Sequence, residues 1–320
     1  MLSPLRHPRF VDLHEALPIE RVRAELDQGL RSASASIAPK FFYDALGSRL
    51  FDAITELAEY YPTRTEASIF ATHGAAMAQR LGSGRTLVDL GAGNCEKARR
   101  LLPLLKPERY LALDISTDFL RQALATVQRE NPALPIVGMG VDLTRSFTLA
   151  PHVGDGGCTL FYPGSSIGNF APAEAEAFLR RMREAAGGGN LLIGVDLVKE
   201  VGVLEAAYDD ALGVTAAFNR NALLNVNRLL GSDFAPADWR HVAFFDAARS
   251  RIQMHLEATR ALTVRWPGAE RRFAAGERIH TEDSCKYTVE AFDALLRRAG
   301  YRDIGCWSDD RQWFAVFSAA

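Results

Sequence analysis

The sequence predicts an α/β protein built on a doubly wound sheet, with a second lobe set into it. Three observations carry this prediction. Through the middle of the chain, short apolar strand signals alternate with amphipathic stretches of helix length, as a parallel sheet requires. That alternation stops at about residue 199, where a long helical tract and then period-two patterning take over. It resumes at about residue 288 and runs to the end.

The elements follow in order. TLVDL at 86–90 is a strand, and 94–105 is a helix with Ala98, Leu101, Leu102 and Leu105 on one face. YLALD at 110–114 is a second strand. Helix 117–130 turns Phe119, Leu120, Ala123, Leu124 and Val127 inward. Strands at 135–142, 159–162 and 190–196 continue the series, with a helix at 172–186 that Gly187–Gly189 end. The tract 203–230 is helical, and 240–266 alternates like antiparallel strands. Helix 289–299 and strands 303–307 and 313–317 close the chain. The expected domains are residues 67–198 plus 288–320 for the sheet domain, and 1–66 plus 199–287 for the second lobe.

Composition narrows the function. Of 320 residues, 37 are Lys or Arg and 39 are Asp or Glu, a net charge of −2 with His neutral. A chain without basic excess is a poor nucleic-acid binder. An apolar share of 48% excludes global disorder. No apolar run approaches the roughly 20 residues that span a bilayer, and the charged start does not read as a secretory signal. Cys95, Cys158, Cys285 and Cys306 lie far apart without a CxxC, the pattern of reduced thiols in a cytoplasmic protein rather than of disulfides or a zinc site.

The turn in LVDLGAGNCEKARRLL carries Gly91 and Gly93, where the backbone can bend tightly and approach a ligand. A dinucleotide fingerprint would place a third glycine at 96, but that residue is Glu, which would repel a pyrophosphate. S-adenosylmethionine, an adenosine with a sulfonium and an amino-acid tail, suits the site better than NAD. Asp114 ends the second strand, where it can accept both ribose hydroxyls, and Asp142 ends the third, facing the adenine amine. The plain structural reading remains beside this one: glycines that make a turn and aspartates that cap helices.

Acceptor candidates are more scattered. Asn169 in FYPGSSIGNF lies beyond a strand's carboxyl end, where open sheets bind ligands. It can orient an amine or grip a carboxylate, or it can N-cap the next helix. Tyr43, Phe51, Tyr60 and Tyr61 can line a small pocket or serve as half-buried core, and Tyr208, Thr215 and Met254 share that ambiguity. Glu282 and Ser284 share a face if extended, or Glu282 is solvated surface.

Taken together, FFYDALGSRLFDAITELAEYYPTRTE, LVDLGAGNCEKARRLL, PGSSIGNF, GVDLVKE, AYDDALGVTAAFNRN and TEDSCKY resemble the histidine-specific Nα-methyltransferase family of the ergothioneine pathway. The resemblance runs from about residue 40 to the C-terminus; the first 40 residues resemble nothing identifiable. It implies a class I methyltransferase domain with a substrate lobe. It also implies S-adenosylmethionine as methyl donor, and conversion of L-histidine to its trimethyl betaine, hercynine, without a metal. By motif, Tyr43 falls near the donor and the acceptor amine, and Tyr60 on a substrate tyrosine. Gly91, Lys97, Asp114 and Asp142 fall on the donor site. Gly164 and Asn169 fall on the acceptor's amine and carboxylate region, and Tyr208 on its carboxylate. Thr215, Met254, Glu282 and Ser284 fall on the rest of the substrate pocket, the last two at the imidazole. Asn94 and Cys95 stand where relatives commonly carry small hydroxyl residues. The expected protein is a monomeric cytoplasmic enzyme acting on a small molecule, away from nucleic acid and membrane. The alternatives are Nα-methylation of another amino acid, such as tryptophan, and a non-catalytic domain that binds the donor.

Overall fold

The computed structural model describes residues 7–12, 18–143 and 148–320. The chain divides into two compact units. The first comprises the described part of Met1–His14 with Pro62–Val198 and Lys286–Ala320; the second comprises the described part of Glu15–Tyr61 with Lys199–Cys285.

The first unit is built on an eight-stranded sheet. Its strands are β1 (Arg9–Asp12), β2 (Thr86–Leu90), β3 (Arg109–Asp114), β4 (Ile136–Gly140), β5 (Cys158–Tyr162), β6 (Asn190–Asp196), β12 (Gly305–Ser308) and β13 (Phe314–Ala319). The order is β1-β4-β3-β2-β5-β6-β13-β12. All neighbours are parallel except β13, which runs against both β6 and β12. Every residue of β2 and β5 is buried, because a central strand is covered on both faces. The covering helices are α3 (Tyr61–Leu81), α4 (Glu96–Leu105), α5 (Thr117–Glu130), α6 (Pro172–Ala185) and α9 (Val289–Arg298). Ile69, Phe70 and Met77 of α3, Leu101 and Leu102 of α4, and Leu120 and Leu124 of α5 share one core with Leu87, Tyr110 and Phe161 of the sheet.

The second unit packs α1 (Ile19–Arg31), α2 (Ala45–Thr55), α7 (Val201–Ala206) and α8 (Val214–Leu230) with two antiparallel sheets. One sheet orders β7 (Trp239–Asp246), β8 (Arg251–Ala258) and β11 (Arg278–Cys285) as β11-β8-β7; the other pairs β9 (Leu262–Trp266) with β10 (Ala269–Phe273). On β8, Ile252, Met254, Leu256 and Ala258 are buried and the residues between them are partly exposed, the alternation a one-faced sheet demands.

Four expectations differ from the structure. Residues 9–12 belong to the first unit, not the second lobe: β1 adds to the edge of the sheet beside β4. Phe10 makes that possible, because its ring occupies the space that a Cβ at Gly138 would need. The helix expected from 94 starts at Glu96, since Cys95 sits at φ 59°, outside helical geometry. The tract 203–230 is two helices, parted where Asp210 takes the backbone N–H groups of Val214 and Thr215 and Gly213 turns at φ 74°. The chain also returns to the first unit at Lys286 rather than 288. Lys286 Nζ lies 2.7 Å from Asp196 Oδ2, and Tyr287 N–H donates to Asp196 O.

Candidate active site

The glycine turn joins β2 to α4 in the first unit. Gly91 and Gly93 lie at φ 71° and 54°, in the left-handed region that disfavours other residues. A Cβ at either would meet no atom of the described residues within 4 Å apart from its chain neighbours, so the backbone there has room for a ligand. Gly91 and Ala92 donate their N–H groups to Leu113 O, which anchors the turn to β3. The Gly93 N–H donates to Asp114 Oδ2 at 2.8 Å, and Ser116 N–H donates to Asp114 Oδ1 at 2.8 Å. Asp114 therefore shapes the turn and keeps lone pairs for a further donor. Burial raises its carboxyl above the usual range, and these backbone N–H groups oppose the rise. Asp142 is buried just past the end of β4. Glu96, the residue that argues against a dinucleotide, pairs with Arg100 one turn on.

Lys97 and Gly164 come together. Lys97 Nζ lies 2.7 Å from Glu66 Oε2, and Gly164 N–H donates to Glu66 Oε1 at 2.9 Å. Asn169 ends the short 3-10 turn Ser166–Asn169; the N-cap of α6 is Ala171, so capping does not explain Asn169.

The remaining candidates lie in the second unit. Phe42, Ile54, Phe218, Ala222 and Met254 form a buried cluster against which Tyr43, Phe51, Tyr60 and Tyr208 pack. The rings meet edge to face: Tyr43 on Phe51 and Phe218 at 5.7 and 5.6 Å, Tyr60 on Phe51 and Tyr208 at 6.2 and 6.4 Å. Glu282 and Met254 are partners across β11 and β8, both buried. Glu282 is only 8% exposed, which excludes solvated surface. Ser284 is buried two residues on, its Oγ 2.7 Å from Tyr208 OH. Thr215 is buried in the first turn of α8, where its N–H donates to Asp210. Tyr61 is fully buried, its hydroxyl accepting from Lys199 Nζ at 2.8 Å.

Residues 22–320 match the model of the S-adenosylmethionine-dependent, histidine-specific methyltransferases. The chain belongs to this family. It is 43% identical over 297 residues to a histidine N-alpha-methyltransferase of Mycolicibacterium smegmatis, covering 91% of this chain and 92% of that one. A histidine N-alpha-methyltransferase of Mycobacterium tuberculosis is 39% identical over 307 residues, covering 93% and 94%. A more distant relative, the 4-dimethylallyltryptophan N-methyltransferase easF of Arthroderma benhamiae, is 24% identical over 329 residues, covering 97% and 96%.

Three blocks that carry the family likeness converge on Asp196 in this methyltransferase. Its carboxylate pairs with Lys286 of TEDSCKY, its N–H donates to Ser165 Oγ of PGSSIGN at 2.8 Å, and it lies within GVDLVKE, at the end of β6. Other supporting residues carried no chemical signature in the sequence. Phe218 lines the tyrosine cluster from α8. Asp44 caps α2 by accepting from Gly47 N–H and also accepts from Asn221 Nδ2. His241 Nε2–H donates to Tyr208 O at 2.8 Å, and its Nδ1 accepts from Asn219 Nδ2. Burial lowers the His241 pKa and favours this neutral ring, which holds the Tyr208 backbone in place. An unpatterned Asp, Asn or His shows none of this until the fold supplies its partner. Among the described residues, no group of three or more His, Cys, Asp or Glu is placed to hold a metal ion, and no helix is long and apolar enough to cross a membrane.

Proposed function

We propose that the chain methylates the α-amine of L-histidine with S-adenosylmethionine, in three rounds that yield hercynine, the opening reaction of ergothioneine biosynthesis. Family membership sets the chemistry, and the buried Glu282 opposite Met254 is the observation that carries the choice of acceptor. The residues of the first unit fit the donor. The open backbone at Gly91 and Gly93 admits it, Asp114 accepts ribose hydroxyls, Asp142 faces the adenine, and Lys97 meets the carboxylate of the amino-acid tail. Bound there, the donor supplies a methyl carbon on a positively charged sulfur.

The protein's own contribution is to bind and orient the acceptor. An attacking amine must be unprotonated, yet an α-amino group has a pKa of about 8 in peptides and a higher one in a free amino acid. A cationic sulfur and partial desolvation lower that value. Tyr43 and Asn169 hold the amine lone pair in line and need not abstract a proton strongly, so orientation carries most of the rate. Tyr208, Gly164 and Asn169 hold the carboxylate end, and Tyr60 and Thr215 line the rest of the substrate pocket. Glu282 and Ser284 accept and donate at the imidazole, with Met254 against the ring. Anchoring at both ends leaves the amine free to rotate as its hydrogens are replaced. The proposal includes a cytoplasmic setting, in keeping with four free thiols, and a monomer that works without metal, nucleic acid or membrane.

The test is Glu282→Ala in calorimetry. A charge-assisted hydrogen bond is worth roughly 1.5–3 kcal/mol, so histidine affinity falls about ten- to a hundred-fold while donor affinity holds. Equal loss of both ligands contradicts the assignment.

A further inference from the structure

Glu66 is fully buried on α3. One oxygen is hydrogen-bonded and the other is ion-paired. Oε2 lies 2.7 Å from Lys97 Nζ, and Oε1 accepts from Gly164 N–H at 2.9 Å. The Lys97 side chain is 30% exposed, so the ammonium reaches from a dry carboxylate towards open space.

Two glycines make room for this pair. A Cβ at Gly164 would lie 2.6 Å from Lys97 Nζ, and that backbone also sits at φ 75°. A Cβ at Gly194, in the middle of β6, would overlap Glu66 Oε1. Bringing a carboxylate into a core is costly unless its charge is paired and its lone pairs are used. Here three segments, α4, the turn after β5, and β6, are shaped around it. A lysine has four rotatable bonds, and an unrestrained ammonium would lose that freedom on meeting a ligand.

We propose that Glu66 is a positioning residue of the methyl-donor site: it aims Lys97 at the carboxylate of the donor's amino-acid tail and fixes the Gly164 turn beside it. This rests on the donor reading given above. The Glu66 charge also favours a donor whose net charge is positive. Glu66 acts through Lys97, and that coupling separates positioning from a role in the fold alone.

The experiment is a double-mutant cycle read by calorimetry, with S-adenosylhomocysteine as the probe. Glu66→Gln keeps the shape and removes the charge; the account predicts about ten-fold weaker binding, the scale of one charge-assisted contact. In a Lys97→Met background, adding Glu66→Gln changes the affinity no further. An unchanged or tighter affinity for E66Q overturns the proposal. So does an equal loss with and without Lys97, which marks a purely structural role. If E66Q does not fold, K97M and E66M/K97M, the latter stripped of both charges, are compared instead. Equal affinities support the coupling, and unequal ones overturn it. Wild-type protein that binds no S-adenosylhomocysteine contradicts the donor reading itself, and the role of Glu66 falls with it.

Discussion

Asp89 stands fully buried near the end of β2, two residues before Gly91, and accepts from Tyr110 OH at 2.7 Å. Burial pushes its carboxyl up to about 7; the Tyr110 hydrogen bond opposes that, the Asp114 and Glu66 charges add to it, and Lys97 offsets part of it. A cationic donor bound nearby favours the ionised form, so binding expels a proton from Asp89. The sign follows: donor affinity rises as pH rises through about 7, and flattens once the carboxyl is ionised in the free protein. Calorimetry with S-adenosylmethionine between about pH 6 and pH 8 should show this rise, and Asp89→Asn should remove its own share of it. The same slope in both proteins contradicts the account. At this scale the sequence was informative wherever a residue's role depends on its neighbours in the chain. Gly91 and Gly93 could be read from one strand–turn–helix unit, and Asp114 from the end of the strand that follows it. Glu66 and His241 could not, because Lys97 and Tyr208 reach them only through the fold.

At the scale of elements, periodicity located strands and helices and missed their interruptions. The spacing of Glu282 and Ser284 gave a shared face, and both are buried on β11. The register shift between His280 and Glu282 was not visible in the sequence. There Thr281 is buried and its Oγ1 donates to Met254 O, while Asp283 meets Arg251, Gln253 and His280. A bulge of this kind re-aims side chains without leaving a composition signal. β1 was missed because four residues between charges give no period, and Phe10 finds its place only against Gly138. One tie is testable alone. Asp196, at the end of β6, and Lys286 are 1% and 0% exposed. Lys286→Met strands a buried carboxylate and costs about 3–5 kcal/mol, while adding Asp196→Asn recovers most of the loss. Chemical denaturation followed by circular dichroism measures both. A K286M protein as stable as wild type contradicts this reading of the pair.

Over the whole molecule, the alternation of strands and helices was legible because a buried parallel sheet needs apolar strands between amphipathic helices. The partition of residues 1–66 was less so, since neither β1 nor the passage of α3 out of the second unit at Pro62 leaves a linker of distinctive composition. The residues proposed for the donor lie at or after the ends of three successive strands, β2, β3 and β4, so they could be read within one stretch of alternating strands and helices. The residues proposed for the acceptor are scattered over the chain, from the turn before α2 to β11 and including the turn after β5, so only their likeness to a family grouped them in the sequence. The central claim is that this chain recognises histidine and methylates its α-amine. The most direct measurement is incubation with S-adenosylmethionine and an equimolar mixture of the twenty amino acids, followed by mass spectrometry. The account predicts that histidine alone gains methyl groups, up to three. Methylation of tryptophan or another amino acid in its place, or of none, contradicts it.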